Sequence, residues 1–98
     1  MLILALLACS TPPAPLAPLA EQGRAVYQAN CTACHNSDPN KPGTVGPAVA
    51  GSSRSLLEAR VVRGEYPPGF VPKRETHAMV ALPHLAGDVD ALAAWLGK

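Results

Sequence analysis

Two cysteines and a histidine in the segment NCTACHNSDP, residues 30–39, form the pattern C-x-x-C-H. On a helical turn Cys31 and Cys34 lie three positions apart and face the same way. Both thiols can therefore add to the two vinyl groups on one edge of a porphyrin, and the imidazole of His35 follows at once to reach the iron. The spacing predicts covalent attachment of one haem c.

Two other uses of this cluster stay open from the residues alone. A structural zinc ion needs four ligands, normally supplied by two such clusters, and the third cysteine, Cys9, lies far away near the N-terminus. A thioredoxin-like redox pair belongs beside a strand–helix–strand unit, and no segment here has the pattern of a strand. Zinc and disulfide chemistry are therefore the alternatives to haem.

The composition favours a prosthetic group in the centre of the fold. The 98 residues allow one domain, and only 4% of them are aromatic, so few large side chains can fill a core. A porphyrin would take their place. The formal net charge of +1 provides no broad basic surface for nucleic acid, and we expect no nucleic-acid partner.

The N-terminal region differs from the rest of the chain. The run MLILALLAC, residues 1–9, is too short to span a bilayer and is typical of a secretory signal. Its end, LLAC, resembles a bacterial lipobox, which predicts that Cys9 becomes a lipidated N-terminus; an ordinary signal peptide is the alternative. Four prolines follow and predict an extended tether. The predicted division is an anchor and tether over residues 1–20 and one domain over 21–98.

The remaining pattern predicts an all-α domain. Helices are expected at residues 20–31, 53–64 and 88–98, where apolar residues recur at helical spacing. Proline and glycine are dense over 36–51, which predicts a loop, and four prolines over 65–87 predict an extended or looped segment.

Boundary signals refine these helices. Ser55 and Glu58 have the spacing of a capping box for the second helix, and Gly64 is its predicted stop. The last helix carries an apolar stripe that should face the core, formed by Val89, Leu92, Ala93 and Leu96.

Four stretches together resemble the small monohaem class I cytochromes c of bacteria over about residues 21–98: RAVYQANCTACH, VGPAVAG, LLEARVVRGEYPPGFVPKRETHAM and LPHLAGDVDALAAWL. The resemblance implies an all-α class I cytochrome c fold with about three helices packed around one covalently bound haem c. It also implies that the first and last helices cross at a glycine and aromatic residues, here Gly23, Tyr27 and Trp95.

The resemblance further implies a ligand set. The carbonyl of Pro47 would accept the Nδ1–H of His35, which orients a metal-bound imidazole. Met79 stands where the family places its axial methionine, with His77 and His84 as the rival sixth ligands. Haem propionates need donors, and Tyr66 and Arg74 are the first candidates. The wider set of donors in that segment also includes Arg60, Arg63 and Lys73.

By the same resemblance we expect a one-electron carrier outside the cytoplasm and not an enzyme, and the predicted lipid on Cys9 would tether it to the membrane. The expected partners are membrane redox complexes: a quinol-oxidising complex, a terminal oxidase or a periplasmic dehydrogenase. Two other functions stay open. The chain could be the electron-accepting haem subunit of a dehydrogenase, or a gas-binding haem sensor with an open sixth site.

Overall fold

A computed structural model describes residues 17–74 and 78–97 of the chain, and these residues contain helices and no strand. The helices are α1 (Pro18–Asn30), α2 (Arg54–Leu57) and α3 (Val89–Leu96). A π-helical segment, Glu58–Arg63, continues α2, and a 3-10 helix, Pro83–Asp88, leads into α3. The predicted all-α class is confirmed.

Helix α1 starts earlier than the sequence predicted. Pro18 occupies the first helical turn, where its fixed φ and missing N–H are favourable. The prediction that the extended tether runs to residue 20 is therefore wrong for its last three residues. Residues 1–16, including Cys9, lie outside the described residues.

The second helix begins through a different serine from the predicted one. Ser53 is the N-cap, and its Oγ accepts a hydrogen bond from the backbone N–H of Leu56 at 3.2 Å. The capping box predicted for Ser55 and Glu58 is wrong, because Glu58 lies beyond the first turn and its carboxylate accepts from Arg54 instead. The predicted stop at Gly64 is confirmed, since its φ of 68° is left-handed.

The chain after the π-helical segment is fastened to it. Leu82 donates its N–H to the carbonyl of Val61 at 2.6 Å, close to the helix end, where carbonyls lack partners within the helix. The 3-10 helix then starts at Pro83. The prediction of an extended or looped segment as far as residue 87 is therefore wrong over its last five residues.

Helices α1 and α3 cross at Gly23. A Cβ built on Gly23 would collide with the carbonyl oxygen of Ala91, so the two backbones approach as closely as a glycine allows. Tyr27 and Trp95 pack at the same crossing with ring centroids 5.0 Å apart and planes at 50°, a favourable tilted arrangement. The predicted crossing of the first and last helices is confirmed.

The core is small and lies along this crossing. Of the predicted stripe on the last helix, three residues are buried, whereas Ala93 is half-buried. No helix in the described parts of the chain combines the length and the hydropathy needed to cross a membrane. The buried hydrophobic cluster consists of Tyr27, Leu57, Val61, Leu85, Val89, Leu92 and Leu96.

The close approach at Gly23 predicts the effect of Gly23→Ala. Helix propensity alone would make this change stabilising by about 0.5–1 kcal/mol. Because the new methyl group would meet backbone and not a flexible side chain, we expect a net loss of about 2–3 kcal/mol in the free energy of unfolding. Denaturant unfolding followed by circular dichroism measures this loss.

Gly87→Ala is the matched control, because a Cβ on Gly87 meets nothing within 4 Å. Its free energy of unfolding should change by no more than about 0.5 kcal/mol. Equal unfolding midpoints for the two alanine variants would contradict the close crossing.

Candidate haem-binding site

A cavity of about 250 Å³ opens beside the core. Its walls come from the end of α1 with the C-x-x-C-H turn, from the loop before α2, from the π-helical segment, from the segment after it, and from α3. Apolar side chains make up most of this lining. All seven site residues predicted from the sequence line the cavity: Cys31, Cys34, His35, Pro47, Tyr66, Arg74 and Met79.

The size of the cavity fits a large and mostly apolar prosthetic group. If nothing filled the cavity, its mostly apolar walls would be in contact with water, and covering apolar surface stabilises by about 25 cal/mol per Å². A group that fills the cavity therefore completes the core.

The C-x-x-C-H turn continues directly from α1. The carbonyl of Cys31 accepts backbone hydrogen bonds from Cys34 at 3.3 Å and from His35 at 2.9 Å. The turn thereby brings both thiols to the cavity wall, where neither forms a disulfide. These free thiols stand for the thioether sulfurs of a chain that carries its haem.

The two thiols differ in environment. Cys34 is exposed, whereas Cys31 is half-buried, and burial raises the pKa of the Cys31 thiol to about 11. Redox-active and metal-binding cysteines instead have a lowered pKa, since the thiolate is the reactive form. This environment disfavours the redox-pair alternative. No three His, Cys, Asp or Glu side chains cluster as a metal site would, within residues 17–74 and 78–97, so zinc finds no support either.

The imidazole of His35 is held on two sides. Its Nδ1 lies 2.9 Å from the carbonyl oxygen of Pro47. A carbonyl only accepts, so Nδ1 carries the proton and Nε2 keeps the lone pair that a metal ion requires. Gly46 lies against the ring, and a Cβ there would collide with three ring atoms. Gly46 is not among the residues predicted from the sequence, although its position directly before Pro47 was a usable signal.

Residues 43–48, which we call the ligand loop, are anchored to the C-x-x-C-H turn through backbone. The carbonyl of Cys34 accepts hydrogen bonds from the N–H groups of Val45 at 3.3 Å and Gly46 at 2.9 Å. A side chain on Gly43 would collide with the same carbonyl. These contacts bring the acceptor at Pro47 to His35.

Tyr27 supports the histidine from the other side of the turn. Its hydroxyl donates a hydrogen bond of 2.5 Å to the carbonyl of Asn36, the residue after His35. The Tyr27 side chain is almost fully buried, and burial is the main cause that raises its pKa to about 12. The hydroxyl therefore stays protonated as a donor at neutral pH.

Met79 is half-buried on the cavity wall and packs against the core. Of its two predicted rivals, His84 is exposed and is not part of that wall. His77 lies outside the described residues. Among the described histidines and methionines, the cavity is lined by His35 and Met79 alone.

The predicted propionate donors divide into two groups. Tyr66 stacks on Phe70, with ring centroids 5.5 Å apart, and the guanidinium of Arg60 lies 4.1 Å from the centre of the Tyr66 ring. All three line the cavity, and the guanidinium of Arg60 also donates to the carbonyl of Gly64 at 3.1 Å. Contact of Arg60 or Tyr66 with a propionate stays a prediction. Arg63 instead pairs with two glutamates.

Lys73 and Arg74 have other partners, which the sequence did not predict. Arg74 donates to the carbonyls of Val45 at 2.7 Å and Gly43 at 3.3 Å. Lys73 donates to the carbonyl of Ala48 at 2.8 Å. Both side chains thus bind the ligand loop; Arg74 also lines the cavity, and its propionate role stays a prediction.

Comparison with known proteins agrees with this geometry. Residues 18–96 match the family model described as cytochrome c oxidase, cbb3-type, subunit III. The chain belongs to this family of c-type cytochromes. It is also similar to a cytochrome c-553-like protein of Synechocystis sp. (strain ATCC 27184 / PCC 6803 / Kazusa), with 40% identity over 53 residues. That alignment covers 50% of this chain and 49% of the relative. No solved structure matches the chain.

Membership of this family confirms three predictions. The architecture is the class I cytochrome c fold, the cofactor is one covalently bound haem c, and the chain is a small monohaem c-type cytochrome. Haem-based electron carrying is the function that these relatives support.

Covalent attachment predicts the behaviour of cysteine variants. Replacing Cys31 and Cys34 together by Ala should abolish haem that survives denaturing gel electrophoresis. The helical signal in circular dichroism should fall as well, because the remaining core is too small for a stable fold. A haem stain on the gel measures the first effect.

Cys34→Ala alone is the control, since one thioether bond should keep the haem on the chain. Haem that stays with the double variant through denaturation would contradict attachment at these two residues.

Proposed function

We propose that this cytochrome is an extracytoplasmic one-electron carrier with His35 and Met79 as the axial ligands of its iron. The observation that supports the proposal most directly is the position of both side chains on the wall of one cavity, with Nδ1 of His35 bonded to Pro47. When bound, the haem supplies an Fe(III)/Fe(II) couple that takes up or gives off one electron.

The chain contributes the two ligands and their rigidity. The hydrogen bond to Pro47 fixes the tautomer and the orientation of His35. The thioether of Met79 is a soft donor that favours ferrous iron and raises the reduction potential relative to a second histidine. A ligated Met79 also closes the sixth position, which a gas sensor or a peroxidase-like enzyme needs open.

One edge of the cavity reaches the protein surface. Ala33, Cys34 and Val80 line the cavity and are exposed, and Val80 is 69% exposed. A redox partner that docks over this edge would come within a short distance of the haem. The arrangement suits a carrier that exchanges electrons with other proteins.

Location and partners follow from the N-terminal sequence and from the family. Cys9 would carry lipid and the proline-rich tether would hold the cytochrome at the extracytoplasmic face of the membrane, which raises the local concentration of membrane partners. A quinol-oxidising complex, a terminal oxidase and a periplasmic dehydrogenase are the candidate partners. The family description names an oxidase subunit, which favours the terminal oxidase.

A second candidate function rests on that same family description. The cytochrome would then be a permanently docked haem subunit of a larger redox complex and not a freely diffusing carrier. Purification from native membranes separates the two, because a subunit elutes with its complex under mild detergent conditions.

Axial ligation predicts the effect of Met79→Ala. The ferric wild type should show the weak long-wavelength absorption band of a methionine–Fe(III) bond, and the variant should lose it. Its reduction potential should fall because ferrous iron loses a soft donor, and ferrous iron should then bind carbon monoxide. Absorption spectroscopy and redox titration measure these changes.

Histidine variants distinguish the rival ligands. His84→Ala and His77→Ala should keep the methionine–Fe(III) absorption band and the reduction potential of the wild type. Like the wild type, they should bind carbon monoxide poorly in the ferrous state. If instead a histidine variant changes the spectrum while Met79→Ala does not, the His/Met proposal fails. An unchanged spectrum in all three would favour the sensor with an open sixth site.

Lipidation predicts the location of a Cys9→Ser variant. The full-length variant should move from the membrane fraction to the soluble fraction, because the acyl chains that hold it are lost. Fractionation and haem staining measure the distribution, with the wild type as the control. A variant that stays with the membranes would show that another element holds the protein there.

A further inference from the structure

Two adjacent cationic side chains connect the segment that carries Met79 to the ligand loop, which carries Pro47, the acceptor for His35. Lys73 and Arg74 belong to residues 71–82, which we call the Met segment and of which 71–74 and 78–82 are described. Their side chains bind three carbonyls of the ligand loop, those of Gly43, Val45 and Ala48. These carbonyls lie on both sides of Pro47, the acceptor for His35.

The same segment has a second anchor beyond Met79. The N–H of Leu82 donates to the carbonyl of Val61 in the π-helical segment at 2.6 Å. A Cβ on Gly64 would lie 3.4 Å from that of Ala81, an ordinary van der Waals distance, so Gly64 and Ala81 are neighbours there. Met79 therefore lies between one anchor at Lys73 and Arg74 and another at Leu82.

We propose that Lys73 and Arg74 form a clasp that fastens the Met segment to the ligand loop and thereby keeps the sixth iron position closed. They are positioning residues, because they act through the backbone and through Met79. For Met79 to leave the iron, the described residues around it, 78–82, must shift away from the cavity. The clasp resists that movement, and it couples the Met79 side of the iron to the loop that orients His35.

The proposal rests on ligation by Met79 and makes a prediction of its own. Imidazole is a neutral probe that competes with methionine for ferric iron, so its apparent affinity reports how easily Met79 is displaced. A hydrogen bond from a charged donor stabilises by an amount that corresponds to about tenfold or more in an equilibrium constant. Arg74→Gln should therefore bind imidazole about tenfold more tightly than the wild type, and Lys73→Gln several-fold more tightly.

Two control variants separate the hydrogen bonds from the charge. Lys41→Gln removes one positive charge, and the Lys41 side chain donates none of the bonds to the ligand loop among the described residues; its imidazole affinity should stay within about twofold of the wild type. Arg74→Lys keeps the charge but loses the forked donor that binds two carbonyls together. Its affinity should fall between those of the wild type and Arg74→Gln.

Titrations with imidazole are made on the haem-loaded ferric protein without denaturant, where each variant is folded. Global unfolding then does not contribute to the apparent imidazole affinity. If Arg74→Gln matches Lys41→Gln, the clasp is refuted while His/Met ligation stands. If the wild type already binds imidazole as tightly as Met79→Ala, His/Met ligation is refuted and the clasp with it. A graded rise from wild type through Arg74→Lys to Arg74→Gln, with Lys41→Gln unchanged, supports the clasp.

Discussion

The hydrogen bond between Nδ1 of His35 and the carbonyl of Pro47 is the contact on which the site depends. It requires the ligand loop to lie directly against the C-x-x-C-H turn, and backbone bonds to the carbonyl of Cys34 hold it there. The absence of a side chain on Gly46 allows the approach. One acceptor thus determines the tautomer of the histidine, and a set of short backbone contacts determines the position of that acceptor.

The helices hold the C-x-x-C-H turn in place and form a frame around a cavity that protein side chains do not fill. Gly23 lets α1 and α3 cross at backbone contact, and the crossing buries Tyr27 at the base of the C-x-x-C-H turn. A chain with so few aromatic residues obtains the rest of its core from the haem. Stability and function therefore share one component, since the group that carries the electron also completes the apolar interior.

The side of the cavity that carries Met79 is organised differently. On one side, the N–H of Leu82 donates a hydrogen bond to a carbonyl of the π-helical segment. On the other side, Lys73 and Arg74 donate hydrogen bonds to carbonyls of the ligand loop. Met79 and Leu82 also pack against the buried cluster, so the described residues 78–82 contact both the core and the π-helical segment.

The sequence by itself determined the attachment motif, the all-α class and the helix stop at Gly64, because these depend on local spacing or on one small residue. The crossing at Gly23 was implied by the resemblance to class I cytochromes c. Only the tertiary structure decided the partners of Arg74, the role of Gly46 and the use of Ser53 in place of Ser55 as a cap. Arg74 meets carbonyls 29 and 31 positions away, and no local pattern encodes such a contact. The paths of two loops along the cavity wall bring those groups together, and those paths depend on contacts between segments far apart in the sequence.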